Sequence, residues 1–311
     1  MRSKIKYSVA VLILIIGLST HAQQDPQYTQ YMYNMSVINP AYATDDNTTL
    51  NLGLLHRSQW SQSVGGPTTS NFFAHSVITD RLEGGVSFVH DQIGDVVKQT
   101  SAFVDIAYVL PVSETTKLSF GIKAGATLFT TNFDGFVYSD PLPDPAFAEN
   151  INRTFPNIGT GLFFFSENYY LGLSVPNLLE TKHLSEDSGI VTQGSENMHY
   201  FLTGGYVMNF GSNNKIKYAF MTKHVNGARL SVDLTANVLI NDVVEFGVGY
   251  RIEDSVSGLV NFSIYEGLRI GYAYDHTLSN LGRFNSGSHE IFMLFNIGKL
   301  GKGYDKSPRF F

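Results

Sequence analysis

Residues 268–275, LRIGYAYD, set every second side chain in a medium suited to oil and every other one in a medium suited to water. Leu268, Ile270, Tyr272 and Tyr274 share one face, and Arg269, Gly271, Ala273 and Asp275 share the other. This period of two belongs to a β-strand with two different neighbours. The same period recurs along most of the chain, yet no spare helix or buried layer is visible to cover so many apolar faces. A closed barrel in a membrane, with lipid outside and a polar lumen inside, accounts for all of them at once.

Counting alternating segments between turn signals predicts about fourteen strands and an all-β, antiparallel transmembrane barrel of the outer membrane. The segments begin at Thr49, Thr69, Gly84, Lys98, Thr116, Pro156, Asn168, His199, Lys215, Arg229, Val243, Val256, Gly267 and Ser288. Several place charge at regular interior positions, such as Lys117 and Lys123 in one strand and Glu245 and Arg251 in another. In a dry sandwich core such residues are costly, whereas in a watery lumen they cost little. The connections sort by side. Short turns lie at Asp80–Arg81, Pro111–Ser113, Ser166–Glu167, Gly211–Asn214, Asn241–Asp242 and Tyr265–Glu266. Long loops lie at 60–67, 131–155, 177–198 and 276–287. Short periplasmic turns opposite long external loops are the habit of outer-membrane barrels.

Residues 1–22 read as a cleaved signal peptide. Arg2, Lys4 and Lys6 precede the apolar run Val9–Leu18, and Thr20-His21-Ala22 supplies small residues at the cleavage positions. The run is shorter than the roughly 20 residues of a spanning helix. Cleavage after Ala22 takes away three cations and moves the formal charge of −6 to −9. That acidic balance argues against a nucleic-acid partner. The chain has no cysteine, which excludes disulfides, thiolate catalysis and cysteine-bound metal. Only 15% of residues are charged, against roughly 25% in soluble domains. A large secreted β-sandwich has a similar composition, so the barrel rests on alternation and loop asymmetry. The expected layout is one barrel domain over 49–298, preceded by a non-strand periplasmic or plug segment at 23–48 and followed by a periplasmic tail at 299–311.

The 23–48 segment carries the most specific signal. Its core, DPQYTQYMYNMSVINPAYA at Asp25–Ala43, resembles the opening motif of the PorP/SprF family. Further matches follow in order: Arg57-Ser58-Gln59-Trp60, Gly66-Pro67-Thr68, Asp91-Gln92-Ile93-Gly94, Pro156-Asn157-Ile158-Gly159 and Gly172 to Asn177. Gly249-Tyr250-Arg251, Ile270 to Asp275 and Ser288-His289-Glu290-Ile291 complete the series. Members are outer-membrane barrels of the type IX secretion system and gliding motility of Bacteroidota. The resemblance implies contact with outer-membrane lipid, with a secreted cargo such as a large adhesin, and with periplasmic secretion components. It implies export or surface attachment of the cargo, and neither chemistry nor a cofactor. A passive porin or small-ligand channel is the second reading: the polar interior faces permit it, whereas large residues such as Phe103 and Phe201 filling the lumen speak against it.

Within the N-terminal motif, Gln30, Tyr31, Asn34, Asn39, Pro40 and Tyr42 are the candidate partner-binding residues. They form either a plug and docking surface or simply the closure of the barrel floor, since asparagine and proline favour turns and tyrosines cap rims. Trp60, the one tryptophan, is expected as a membrane-interface anchor. Asp134, Asp140 and Asp144 lack the spacing of a calcium loop, and Pro141, Pro143 and Pro145 favour an extended turn. No histidine pair has the spacing of a metal-binding motif. Ser174, in GLSVP, lacks the second glycine of a nucleophile elbow. Catalytic, cofactor and metal sites are therefore expected to be absent.

Overall fold

The computed structural model describes residues 26–44, 49–134, 150–179, 181–182, 195–196, 198–265 and 267–298. The expected leader at 1–22, the tail at 299–311, and Asp140 and Asp144 lie outside them. Fourteen strands close into one antiparallel barrel. In chain order its first seven are β1 (Thr49–Ser58), β2 (Thr68–Thr79), β3 (Leu82–Ile93), β4 (Val97–Pro111), β5 (Thr116–Thr131), β6 (Asn152–Ser166) and β7 (Tyr169–Val175). A two-stranded piece, β8 (Thr181–Lys182) with β9 (Ser195–Glu196), stands apart from the wall in the following connection. The wall resumes with β10 (His199–Asn209), β11 (Lys215–Val225), β12 (Ser231–Ile240), β13 (Val244–Arg251), β14 (Ser255–Tyr265), β15 (Leu268–Thr277) and β16 (Ser288–Gly298). Each wall strand pairs with the next, and β1 pairs with β16 to remove the last free edge.

Alternation sets the two faces. On β5, Ile122 is 67% exposed to the outside while its neighbour Lys123 is 3% exposed on the inside. In the opening stretch, Tyr272 points outward and Arg269, Ala273 and Asp275 are buried. An outward band of aliphatic and aromatic residues with no polar layer over it is the surface that hydrocarbon wets.

The expected strand starts at Thr49, Thr116, His199, Lys215 and Ser288 coincide with observed ones. The largest shift is at β6, which begins at Asn152 and not at Pro156. β6 meets β7 only from Thr160 onward, so Pro156 sits where β5 alone is its neighbour. A residue without an N–H is tolerated beside an open edge. The loop side is also less uniform than expected, because the connections at 94–96, 226–230 and 252–254 are short. On the opposite side every connection between wall strands is short, and Asn241 and Asp242 adopt φ of 53° and 55° to turn β12 into β13.

The lumen is drier than a watery channel. Lys217, Glu245 and Glu290 are each 1% exposed, although all point inward. What covers them is the chain's own segment 26–44. It contains no strand, only a 3-10 turn at Tyr31–Tyr33 and one helical turn at Met35–Ile38. Its Tyr31, Met32, Met35 and Tyr42 form one apolar cluster with wall residues such as Phe163 and Phe292. The core of this molecule therefore sits inside the barrel.

Candidate functional site

Charged residues on inward strand positions hold the segment at three levels. The first spans the closing seam. Arg57 on β1 and Glu290 on β16 are register partners, and Arg57 reaches Glu290 Oε2 at 3.2 Å and Asp275 Oδ2 on β15 at 2.7 Å. Thr29 enters this group from the segment. Its hydroxyl donates to Asp275 at 2.6 Å and accepts from Arg57 Nη1 at 2.7 Å. The backbone N–H groups of Thr29 and Gln30 then donate to the two oxygens of Glu290 at 2.9 and 2.8 Å. One carboxylate thus satisfies two successive amides that burial would otherwise leave unpaired.

The second level lies near the short-turn end, around Glu245 on β13. The Tyr33 hydroxyl and the Asn237 side-chain amide both donate to Glu245. Asn261 Nδ2 donates to it at 2.9 Å, and Arg269 lies 3.3 Å from it. The ring of Tyr33 stacks on Phe292 at 4.6 Å, with Lys217 Nζ 5.3 Å from its centroid. Tyr33 is thereby fixed on its face by a cation and at its tip by a carboxylate.

The third level is the return of the chain. Lys123 Nζ donates to the carbonyl of Val37 at 2.6 Å, and the Ser174 hydroxyl donates to that of Ile38 at 2.9 Å. These bonds serve carbonyls at the end of the helical turn that have no partner within it. Asn39 then folds back on itself: its Oδ1 accepts from Ala41 N at 2.9 Å, while its Nδ2 donates to the Leu162 carbonyl at 3.0 Å. Glycines on the wall make the room. A Cβ at Gly161 would lie 2.1 Å from Asn39 Oδ1, and one at Gly121 would lie 2.2 Å from the backbone of Pro40 and Ala41. The segment ends at Thr44, whose N–H donates to Glu83 on β3 at 2.6 Å.

All six N-terminal candidates fall inside the barrel. Tyr31 meets Thr235 at 3.3 Å, Tyr42 packs between His75 and Phe163, and Pro40 lies against Gly121. Gln30 binds Glu290 through its backbone, and the backbone of Asn34 bridges Tyr31 and Val37. With their side chains buried, direct contact with another protein requires the segment to leave its seat. Trp60 stands just beyond β1 in the left-handed region at φ 51° and lines the mouth of the interior cavity at the loop end. Ser174 is used in binding Ile38, as just described. Among the described residues no group of histidine and carboxylate side chains has metal-holding geometry.

The anchors Arg57, Asp275 and Glu290 lie in stretches that the sequence marks: RSQW, IGYAYD and SHEI. Thr29 lies in the marked N-terminal motif, whereas Glu83, Lys123 and Glu245 carry no such mark. The one signal of these three wall residues is a charge at an inward position, and only the segment's path reveals what each one meets.

The loop end holds a vestibule of about 490 Å³, lined by Pro26, Gln27, Trp60, Arg251, Asp254 and neighbouring residues. Gln27 accepts from Arg251 at 2.9 Å there, and Arg251 is itself paired with Asp233 on β12 at 2.7 Å.

Comparison with known proteins adds two findings. A family profile described as type IX secretion system membrane protein PorP/SprF matches residues 20–295. No curated protein sequence matches the chain. Among solved structures, the fold is similar to a deletion mutant of the TodX monoaromatic hydrocarbon channel, at 11% identity and a TM-score of 0.51, covering 86% of this chain and 94% of that one. It is similar as well to the Ralstonia pickettii toluene transporter TbuX, at 12% identity and a TM-score of 0.50, covering 85% and 93%. Identities this low speak for the barrel fold alone.

Proposed function

The chain belongs to the PorP/SprF family of type IX secretion system membrane proteins, and from that premise we propose that it is a non-enzymatic support for a secreted cargo. It is an outer-membrane barrel related to type IX secretion. In the proposed role its loops help export, or hold at the cell surface, a protein such as a large adhesin. Its turn side contacts the periplasmic secretion machinery, with a link to gliding motility. The observation that carries this reading is the filled lumen: Glu290, Glu245 and Glu83 bind the segment at successive points along its path. A barrel so occupied serves through its faces more readily than through its bore.

Two measurements test the reading. Deleting the gene should strip the cargo from the cell surface, and normal display of that cargo overturns the proposal. In planar bilayers the intact protein should stay closed, while a variant lacking residues 26–44 should conduct. A steady open pore from the intact protein favours a passive porin or small-ligand channel, the reading to which the loop-end vestibule lends support.

A further inference from the structure

The outward face of the wall is almost free of charge, and the exceptions gather at one rim. Among the described residues, no aspartate or glutamate takes an outward position within a wall strand. Tyrosines aside, the ionisable side chains there are Lys98 and five of the chain's nine histidines: His56, His90, His224, His276 and His289. All six lie within the last four residues at the loop-side end of their strands. The turn-side rim carries phenyl and phenol rings instead, as at Tyr169, Tyr206, Phe210 and Phe262.

Five of the six form an arc across the closing seam. His276 is on β15, His289 on β16, His56 on β1, His90 on β3 and Lys98 on β4, with only β2 interposed. The imidazoles are held in place. His56 and Ser70 are register partners, as are His90 and Thr100, and each Nδ1 lies 2.8 Å from its partner's hydroxyl. His289 Nδ1 meets the Tyr272 hydroxyl at 2.6 Å. A hydroxyl that donates to Nδ1 leaves the ring's proton on Nε2, where an outside acceptor can take the bond. Two residues further from the rim on the same face stand Leu54, Phe88 and Ile291, all exposed to hydrocarbon.

We propose that this arc binds the phosphate-bearing head of an outer-leaflet lipid. The imidazoles and Lys98 meet the head, and the apolar columns beneath them meet the chains. A soluble phosphate matches only the first of these. Charge sets the sign of the ligand: N–H donors and an ammonium, with no carboxylate on the same face, favour an anion. The connections directly above the arc add one group of each sign, Asp95 and Arg283. The loop side is the outer side because every connection between wall strands at the other end is short. The site is on the outside of the wall and does not depend on what fills the lumen.

The test reads which lipid the purified protein immobilises in a bilayer of dioleoylphosphatidylcholine. Spin-labelled phosphatidic acid is compared with spin-labelled phosphatidylcholine. The expected result is a preference for phosphatidic acid of about fivefold, the factor for one favourable charge contact at a membrane surface. H56F/H90F/H276F/H289F keeps aromatic rings at the rim, removes their nitrogens and changes only outward positions. The preference should then drop toward one. If any aromatic ring serves at this rim, the variant keeps the preference, and that result overturns the proposal, as does a wild type that shows none. Should the fourfold variant give no heat-modifiable folded band, H90F and K98M read the same arc singly. Each should lower the preference, and no change in either overturns the proposal. Glycerol 3-phosphate carries the head without the chains and should not displace the labelled lipid at equal concentration. Displacement would mean that the apolar columns take no part, and the assignment to a lipid fails.

Discussion

Arg57 and Glu290 face each other across the ladder that closes the barrel, and the same carboxylate that Arg57 holds also binds the backbone of Thr29 and Gln30. The last joint in the wall and the first anchor of the segment are one cluster.

Replacing Arg57 by Met leaves Asp275 and Glu290 buried together without their cation. Breaking a buried ion pair from one side costs about 3–5 kcal/mol. The expected outcome is a lower temperature at which the folded band converts on a heat-modifiability gel. Thr29→Val removes only hydrogen bonds to charged groups, a loss of about 1.5–3 kcal/mol. R57M should therefore fall further than T29V, and the opposite order places the cluster's weight elsewhere.

Gly121→Val sets a side chain where the backbone of Pro40 and Ala41 already lies. Backbone against backbone has little room to yield, so the segment is expected to leave this part of its seat. The measurable signs are protease cleavage near residue 40 and ion conductance in bilayers, with the barrel still assembled. Gly258→Ala is the control, because nothing lies within 4 Å of its added Cβ, and changes at such open sites stay within about 0.5 kcal/mol.

Lys123→Met keeps much of the side-chain length and deletes the charged donor to the Val37 carbonyl. Hydrogen exchange at residues 35–39 should quicken by an amount equivalent to about 1.5–3 kcal/mol, while the wall amides of β5 keep their protection. Equal loosening of wall and segment would mean that Lys123 serves the strand and not the helical turn.

Phe292→Ala removes the ring on which Tyr33 stacks and opens a cavity in the interior core. A large-to-small change of this kind costs about 3–5 kcal/mol. Tyr33→Phe loses only the bond to Glu245, so it should cost less and preserve the stacking. Thermal conversion of the folded band on a heat-modifiability gel separates the two, since F292A should convert at a lower temperature than Y33F.

Much of the wall is legible in the sequence, because alternation is local. The faces of β5 or β15 are written in consecutive residues, and no distant partner is needed to read them. The seat of the segment is a different kind of information. Arg57 and Glu290 stand 233 positions apart, and Tyr33 and Glu245 are separated by 212. Their meeting depends on the shear and register of the whole barrel, which no stretch of residues encodes alone. For that reason inward charges such as Lys123 and Glu245 read as lumen residues in water, although the structure buries and pairs them. The motif residues Asn39 and Pro40 were visible as a turn. That the turn is fitted over Gly161 and Gly121 follows only once those strands stand in place.

The seam cluster also couples the two ends of this molecule. Glu290 belongs to the last wall strand, and what it grips, Thr29 and Gln30, belongs to the first described part of the chain. Zipping β1 to β16 brings Arg57 and Glu290 together whether or not the segment is seated, but only a filled barrel gives Glu290 the two amides that it binds here. The joint of the wall is therefore firmer full than empty, as a hoop grips best around a loaded cask.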